Sequence, residues 1–519
     1  MTDNVINQVV IVGGGTAGWL TASILAKKFD SRQPGAIQVT LIESPDIPTI
    51  GVGEGTWPTM RKTLAKIGIS ETDFLLKCNA SLKQGTKFVN WKSAPENGVD
   101  HAYYHLFTSM FDPEEFNLAP YWSLDLIGQG KTYAETVSVQ GLVSDDGLSP
   151  KTILNKEFEG VLNYAYHLDA GLFAQLLTEH ATKNLGVKHI SANVEQVLTS
   201  AQGDITGVHT DRAGLIEGDF FVDCSGFKAL LIDKTLNVPF NSVADTLLTD
   251  HALAIQVPYQ DEQTNIASCT VSTAHEAGWT WDIGLSNRRG TGYVYSSAHV
   301  DHETAEKTLR NYIGTGAEQL DSKLIKMNVG YREKFWEKNC VAIGLSAAFV
   351  EPLEASAIFL IEASANMVSE LFPRQKHLMS GVAQKFNDSM GFRWQKTVDF
   401  IKMHYFLSER QESFWRDNKE LNTVPDSLLA LLDRWRCQAL TSYDFDNVFE
   451  PFPMESYQYV LHGMGFKQDL SVNKQAYANV MQAKQYQQQV QMVSQKILGQ
   501  LPSNREILNK IKEFGLQSI

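Results

Sequence analysis

The stretch Gln8–Trp19, QVVIVGGGTAGW, restricts the possible folds more than any other part of the chain. It opens on the β-branched run Val9-Val10-Ile11-Val12, which reads as a buried parallel strand. Gly13-x-Gly15-x-x-Gly18 follows and leads into a helical run, Trp19 to Phe29, rich in Ala, Leu and Lys. Gly13 allows the tight turn, Gly15 lets a pyrophosphate approach the backbone, and Gly18 lets helix and strand pack closely. N–H groups at the helix start, at Thr16 and Ala17, act with the helix dipole to hold phosphates. A second strand, Gln38 to Ile42, ends in Glu43, where a ribose hydroxyl needs an acid. A glycine turn in some other α/β protein could carry the same triplet, but this context selects a dinucleotide site.

At 519 residues the chain exceeds one small core and implies two or three lobes. A hydrophobic share of 43% and a charged share of 20% suit a globular protein, and no apolar run approaches a membrane span. Met1–Gln8 is polar and resembles no secretory signal. The five cysteines, Cys78, Cys224, Cys269, Cys340 and Cys437, are scattered without a CxxC pair, which points to reduced thiols and a cytoplasmic location. A net charge of −14 argues against nucleic acid as a partner. Nothing points to a metal site.

Beyond Glu43, the segment Pro48–Thr56 is punctuated by Gly51, Gly53 and Gly55, with Glu54 among them, as expected where a flat ring lies against the backbone. Helices are expected over Thr59–Ile67 and Glu71–Ser81. From about Lys87 to Lys156 aromatics cluster and periodicity is poor, which suggests an insertion that caps a pocket. A helix over Ala170–Asn184, strands over Val187–Val197 and Ile205–Asp211, and a buried strand Phe220–Asp223 ending in Cys224-Ser225-Gly226 follow. Asp223 suits the far side of a dinucleotide. Alternation in Ala252–Val257, Gly278–Ile283 and Gly292–Ser296 indicates antiparallel sheet. A short strand Val341–Ile343 precedes helices at Ile358–Leu371, Ser380–Tyr405 and Ser427–Ala439, and an amphipathic helix at Lys474–Leu498. The expected divisions are 1–86 and 161–246 for the Rossmann part, 87–160 for the insertion and 247–330 for the sheet lobe. Residues 331–372 would return to the dinucleotide and 373–519 would form the helical C-terminal region.

Three groups of residues could carry chemistry. Trp279 and Trp281 share one face of a strand, where two rings either pack a core or wall off one cavity from another. Glu354 stands just before a helix whose Ser356 and Ala357 N–H groups would make an anion site; it could be a general base or only complement the helix dipole. Lys83, by pattern alone, reads as an ordinary surface lysine.

Together the motifs resemble the flavin-dependent halogenases of the tryptophan halogenase type. They are GGGTAGW (Gly13–Trp19), GVGEGTWP (Gly51–Pro58), KFVNW (Lys87–Trp91), YHLDAG (Tyr166–Gly171), DCSGF (Asp223–Phe227) and GLSAAFVEPLEASAIFL (Gly344–Leu360). The family's Trp-x-Trp-x-Ile-Pro signature stands as Trp279-Thr280-Trp281-Asp282-Ile283, with Gly284 in place of proline. The resemblance implies an α/β fold: a Rossmann-type FAD-binding domain like that of flavin monooxygenases, with an interleaved antiparallel-sheet substrate lobe and a mainly helical C-terminal region. It implies that reduced FAD reacts with oxygen to a peroxide, that halide (chloride or bromide) attacks it, and that hypohalous acid passes to a separate substrate pocket. Lys83 matches the lysine that delivers the oxidant and Glu354 the catalytic glutamate, with the halide on the N–H groups of Ser356 and Ala357. Val194, Leu345 and Ile358 join the glycines, Glu43, Glu54 and Asp223 at FAD, while Trp279 and Trp281 keep the arene from the flavin. His105, Phe107 and Tyr457 would line the substrate pocket. A serine often follows the glutamate in the family; Ala355 stands here, so a hydroxyl link from glutamate to lysine is missing.

The substrate implied is an electron-rich aromatic, indole or tryptophan-like. No second nucleotide fingerprint is present, which implies a separate NADH-dependent flavin reductase as partner; a homodimer is compatible with the size. An FAD-dependent aromatic hydroxylase would share the glycine motif but leaves the Trp pair and Lys83 unexplained. A non-catalytic FAD-binding protein is the third reading.

Overall fold

All four side chains of the run Val9–Val12 are buried in the strand Gln8–Val12, the centre of a parallel sheet. Full burial of an aliphatic side chain contributes about 1.5–3 kcal/mol, so this run anchors its surroundings. The structure is a computed structural model that describes residues 4–47, 53–445 and 447–518. The part of the glycine loop at 48–52, with Gly51 and Val52 of GVGEGTWP, lies outside the described residues.

The chain divides into two compact units. One comprises Met1–Ala80, Leu168–Val243 and Asn328–Trp394; the other comprises Ser81–His167, Ala244–Met327 and Gln395–Ile519.

In the first unit the sheet runs in the order Trp336–Glu337, Cys340–Ala342, Phe220–Asp223, Gln8–Val12, Gln38–Glu43 and Lys188–Ser191. Every pairing is parallel except that of the first two strands. Val12 is aligned with both Ile42 and Asp223, so the turn after Val12, the acid Glu43 and the strand end at Asp223 share one edge. Ligands bind at such carboxyl ends in doubly wound sheets. The helix Thr16–Phe29 packs against the helices Ala170–Asn184 and Ser356–Leu371.

Two local expectations change here. The helix beginning at Glu71 ends at Lys77, because Asn79 turns left-handed (φ 47°) and the Ala80 N–H closes on the Leu75 carbonyl at 3.0 Å. The single strand expected over Val187–Val197 is two: Lys188–Ser191 joins the parallel sheet and Val194–Thr199 joins an antiparallel meander. Asn193 marks the break, its side chain bonded to Ser44, Asp46 and Asp211.

The second unit is organised on a seven-stranded sheet in the order Ser322–Lys326, His251–Pro258, Arg288–Tyr295, Gly278–Gly284, Thr270–His275, Gly85–Val89 and Ala102–Leu106. Only the pairing of Thr270–His275 with Gly85–Val89 is parallel. The aromatic-rich segment thus contributes two strands and three short helices, Ala119–Ser123, Tyr133–Val137 and Gln140–Asp145. Along the chain, the later helices stand at Ser356–Leu371 in the first unit, at Met379–Phe406, which runs past the division at Trp394, and at Asp426–Cys437 and Val480–Leu498 in the second, close to expectation. Met454–Gly463 and Asn504–Phe514 are helices the sequence did not announce. Met454–Gly463 packs on the strand Ala102–Leu106, where a Cβ on Gly463 would stand 2.4 Å from the Tyr103 ring. Among the described residues no helix is long and apolar enough to cross a membrane.

Candidate functional site

In the first unit, the three glycines of the motif differ in their steric surroundings. Gly13 has φ 120°, and a Cβ there would stand 2.0 Å from the Cys224 carbonyl oxygen; one on Gly18 would stand 1.9 Å from the Gly13 carbonyl oxygen. Before Gly15 the space is open, with no atom within 4 Å of a Cβ position. Gly15 also caps the helix Thr16–Phe29, whose first turn has no capping side chain and no acid. The first-turn N–H groups at Thr16, Ala17 and Gly18 therefore lack helical partners beside an open cradle, which has the room and the donors a pyrophosphate requires.

Glu43 lies against the same turn: a Cβ on Gly14 would stand 2.2 Å from its carboxyl carbon. Its carboxylate is half-exposed and paired with His189 Nε2 at 2.9 Å. The turn Gly344–Ser346, which carries Leu345, packs on the helix start, since a Cβ on Gly344 would stand 2.7 Å from Ala17 Cβ. Val194 packs with Val10, Val12 and Ile42, and Ile358 is buried in the first turn of the helix Ser356–Leu371. Glu54 lies in the short strand Gly53–Gly55, and desolvation pushes its carboxyl up to about 7.

Asp223, at the end of its strand, is fully buried and bonded to the segment that follows it. One carboxylate oxygen accepts from the Ser225 N–H (2.9 Å) and hydroxyl (2.6 Å), the other from the N–H groups of Leu231 and Ile232 (both 2.8 Å). The acid ties down the segment after its strand. Burial raises its pKa, and these hydrogen bonds pull it back.

Glu354, 7% exposed, sits in a tight turn before the helix Ser356–Leu371. Glu354 (φ 66°) and Ala355 (φ 53°) are consecutive left-handed residues without being glycine. Ala355 is the N-cap and brings no capping side chain, so the N–H groups of buried Ser356 and exposed Ala357 start the helix uncapped. The Trp57 indole donates to the Glu354 carbonyl at 2.8 Å and stacks on Phe359 at 4.1 Å. One turn further, Glu362 accepts from the hydroxyls of Thr63 (2.6 Å) and Thr59 (3.2 Å), and burial pushes its carboxyl up to about 7.

In the second unit, Lys83 is not a surface lysine: it is 1% exposed, on the strand Ser81–Lys83. That strand pairs antiparallel with the chain at Ala165–His167, Lys83 opposite Ala165 and Ser81 opposite His167. Side chains alternate across a strand, so His167 and Lys83 fall on one face of this pair. His167 bonds the Thr270 hydroxyl at 2.8 Å, and burial, then the Lys83 charge, hold its pKa well below the usual value. The Lys83 ammonium stands 5.5 Å from the centre of the Phe107 ring. Phe107 is held there by its N–H to the Gln84 carbonyl (3.2 Å) and by Asn163 Nδ2 on its own carbonyl (3.0 Å).

His105 is buried two residues before Phe107 and bonds the Ser456 hydroxyl at 2.9 Å. Tyr457 is packed among Phe400, Trp435 and Phe445. From the same helix, Ser456 and Tyr459 face His105, and the Tyr459 hydroxyl donates to the Thr108 carbonyl at 2.8 Å. Trp279 and Trp281 meet edge to face at 6.4 Å, and Trp279 continues to Trp91 at 5.8 Å. At Gly284 a Cβ would stand 2.6 Å from Ile266 Cγ2 and 3.1 Å from the Tyr259 hydroxyl, so a larger residue is excluded without repacking.

Sequence reading gave no role to Trp57, His167, Ser456 or Tyr459. Trp57 stands within GVGEGTWP, and its contact with Glu354 distinguishes it. Among the described residues no cluster of His, Cys, Asp or Glu could hold a metal ion.

Residues 8–480 match the family model for tryptophan halogenase. The chain is 36% identical over 490 residues to tryptophan 7-halogenase RebH of Lentzea aerocolonigenes, covering 89% of this chain and 90% of that protein. It is similar in structure to the tryptophan halogenase of Shewanella frigidimarina, with a TM-score of 0.94, 43% identity and 99% of each chain covered. BrvH, a flavin-dependent halogenase from Brevundimonas sp. BAL3, gives a TM-score of 0.85 at 30% identity, over 98% of this chain and all of that one (100%).

Proposed function

The chain belongs to the tryptophan halogenase family, a family of flavin-dependent enzymes, and we propose that it places chlorine or bromine on an electron-rich aromatic of the indole class, tryptophan included. The observation that carries this reading is Lys83, a buried lysine whose Nζ stands over the Phe107 ring, on the same strand face as His167. Lysine is among the residue types least often fully buried.

Bound FAD in its reduced form, with oxygen and halide, supplies hypohalous acid. The first-turn N–H groups of Thr16, Ala17 and Gly18 hold the pyrophosphate, and Glu43 takes a ribose hydroxyl. The N–H groups of Ser356 and Ala357 hold the halide anion at a helix start. Lys83 Nζ donates a hydrogen bond to the oxygen of hypohalous acid, which leaves the halogen as the electrophilic end. The arene attacks the halogen: a carbon–halogen bond forms, the halogen–oxygen bond breaks, and the oxygen leaves as water after taking a proton from the lysine. Glu354 accepts the proton lost from the arene carbon. His105 and Phe107 offer rings for stacking, and Trp279 with Trp281 keeps the arene from the flavin so that oxygen insertion does not compete. A separate NADH-dependent reductase supplies reduced flavin.

The test is an end-point assay of purified protein with FAD, a flavin reductase and NADH. Indole and tryptophan are offered separately with chloride or bromide, and products are read by mass spectrometry. A halogen mass shift that disappears in Lys83→Ala supports the reading; oxygen added without halogen would make the protein a hydroxylase. Binding of FAD with no product in any mixture would favour a non-catalytic role.

A further inference from the structure

Two consecutive left-handed residues that are not glycine persist only where their surroundings over-determine them, and the Glu354–Ala355 turn is such a pair. Within the turn itself, the Ala355 N–H bonds the Pro352 carbonyl at 3.0 Å. From outside the turn comes Trp57, whose indole N–H meets the Glu354 carbonyl at 2.8 Å. The indole is itself fixed: it lies nearly flat (18°) on Phe359, in the first turn of the helix that the Glu354 turn initiates. The Arg393 guanidinium stands 5.7 Å from the centre of that Phe359 ring. Trp57 therefore grips the turn twice, at the carbonyl of Glu354 and at the helix behind it. It follows the strand Gly53–Gly55 by two residues, so one side chain joins the glycine-rich segment to the turn that presents the carboxylate.

We propose that Trp57 is a positioning residue for Glu354. Its indole N–H locks the left-handed turn and so fixes the direction in which the carboxyl leaves the backbone. This rests on the reading of Glu354 as the group that accepts the arene proton. A positioning role of this kind acts on the chemical step, because a misaimed base loses rate without losing substrate.

The experiment compares wild type, Trp57→Phe, Glu354→Gln and the double variant, each with FAD bound and with reductase, bromide and indole. Phenylalanine keeps a ring on Phe359 and removes the N–H donor. The expected result is a kcat about tenfold lower in Trp57→Phe, the scale of one lost hydrogen bond, with KM for indole, FAD affinity and melting temperature near wild type. The double variant should turn over no more slowly than Glu354→Gln, since Trp57 acts through that carboxyl. Wild-type kcat in Trp57→Phe beside lost turnover in Glu354→Gln would overturn the positioning role alone. Wild-type turnover in Glu354→Gln would overturn the base assignment and the inference with it. If Phe disturbs folding, benzothienylalanine at position 57 replaces the N–H by sulfur in the same ring shape and must give the same loss of kcat; wild-type kcat there would overturn the proposal.

Discussion

Trp281 lies across Gly292, its partner in the neighbouring strand, so closely that a Cβ at 292 would stand 2.1 Å from two carbons of the indole ring. The Leu253 carbonyl, 2.4 Å from the same position, blocks relief by a backbone shift. Gly292→Ala should therefore push the ring aside and lower stability by about 2 kcal/mol or more, read by denaturant titration. With Trp281 displaced, the halogenation assay should also show an oxygenated aromatic by mass spectrometry. An unchanged midpoint and product would show that the ring's position is not set by this glycine.

The motif glycines separate fold from ligand binding. Gly13→Ala drives a methyl into the Cys224 carbonyl at a left-handed φ and should prevent stable folding. Gly15→Ala meets open space and should fold with a melting temperature near wild type, while FAD affinity, followed by flavin fluorescence, falls at least about tenfold. Equal losses of stability in both variants would contradict an open cradle at Gly15.

Lys83→Met replaces a buried ammonium with an apolar chain of similar length. Halogenation should fall by a factor of about one hundred or more, the scale of a lost catalytic donor. Retained activity would remove Lys83 from the mechanism.

Glu362 makes stability depend on pH. Its carboxyl titrates near 7 in the folded chain against an ordinary value of 4.5, because burial disfavours the charge. A raised folded-state pKa means the contribution is complete below the ordinary value and is lost as pH rises through about 7. Glu362→Gln stays neutral throughout and can still face Thr59 and Thr63. Its stability relative to wild type should grow between about pH 5 and pH 8 by on the order of 2 kcal/mol. A difference independent of pH, in parallel denaturant titrations, would rule out this titration.

What the sequence determined by itself was local. The strand Gln8–Val12, the helix after it, the glycine turn and the strands Gln38–Glu43 and Phe220–Asp223 were legible because a continuous apolar run, a helical run and a glycine triplet each impose their geometry within a few residues. The helix start before which Glu354 stands was legible for the same reason, and the motifs along the chain identified the family.

Tertiary structure decided what these residues touch. Asp223 ends its strand where expected, and one of its oxygens accepts from Leu231 and Ile232, a pairing set by how the following segment folds back. Lys83 looks like any solvated lysine until pairing with Ala165 and the ring of Phe107 enclose it. Tyr457 turns into an aromatic cluster while Ser456, its neighbour, meets His105, a choice of helix rotation made by packing. Trp57 and Glu354 are 297 residues apart in the chain. No periodicity or turn chemistry spans such a distance; only the assembled core of the first unit brings the indole to that carbonyl.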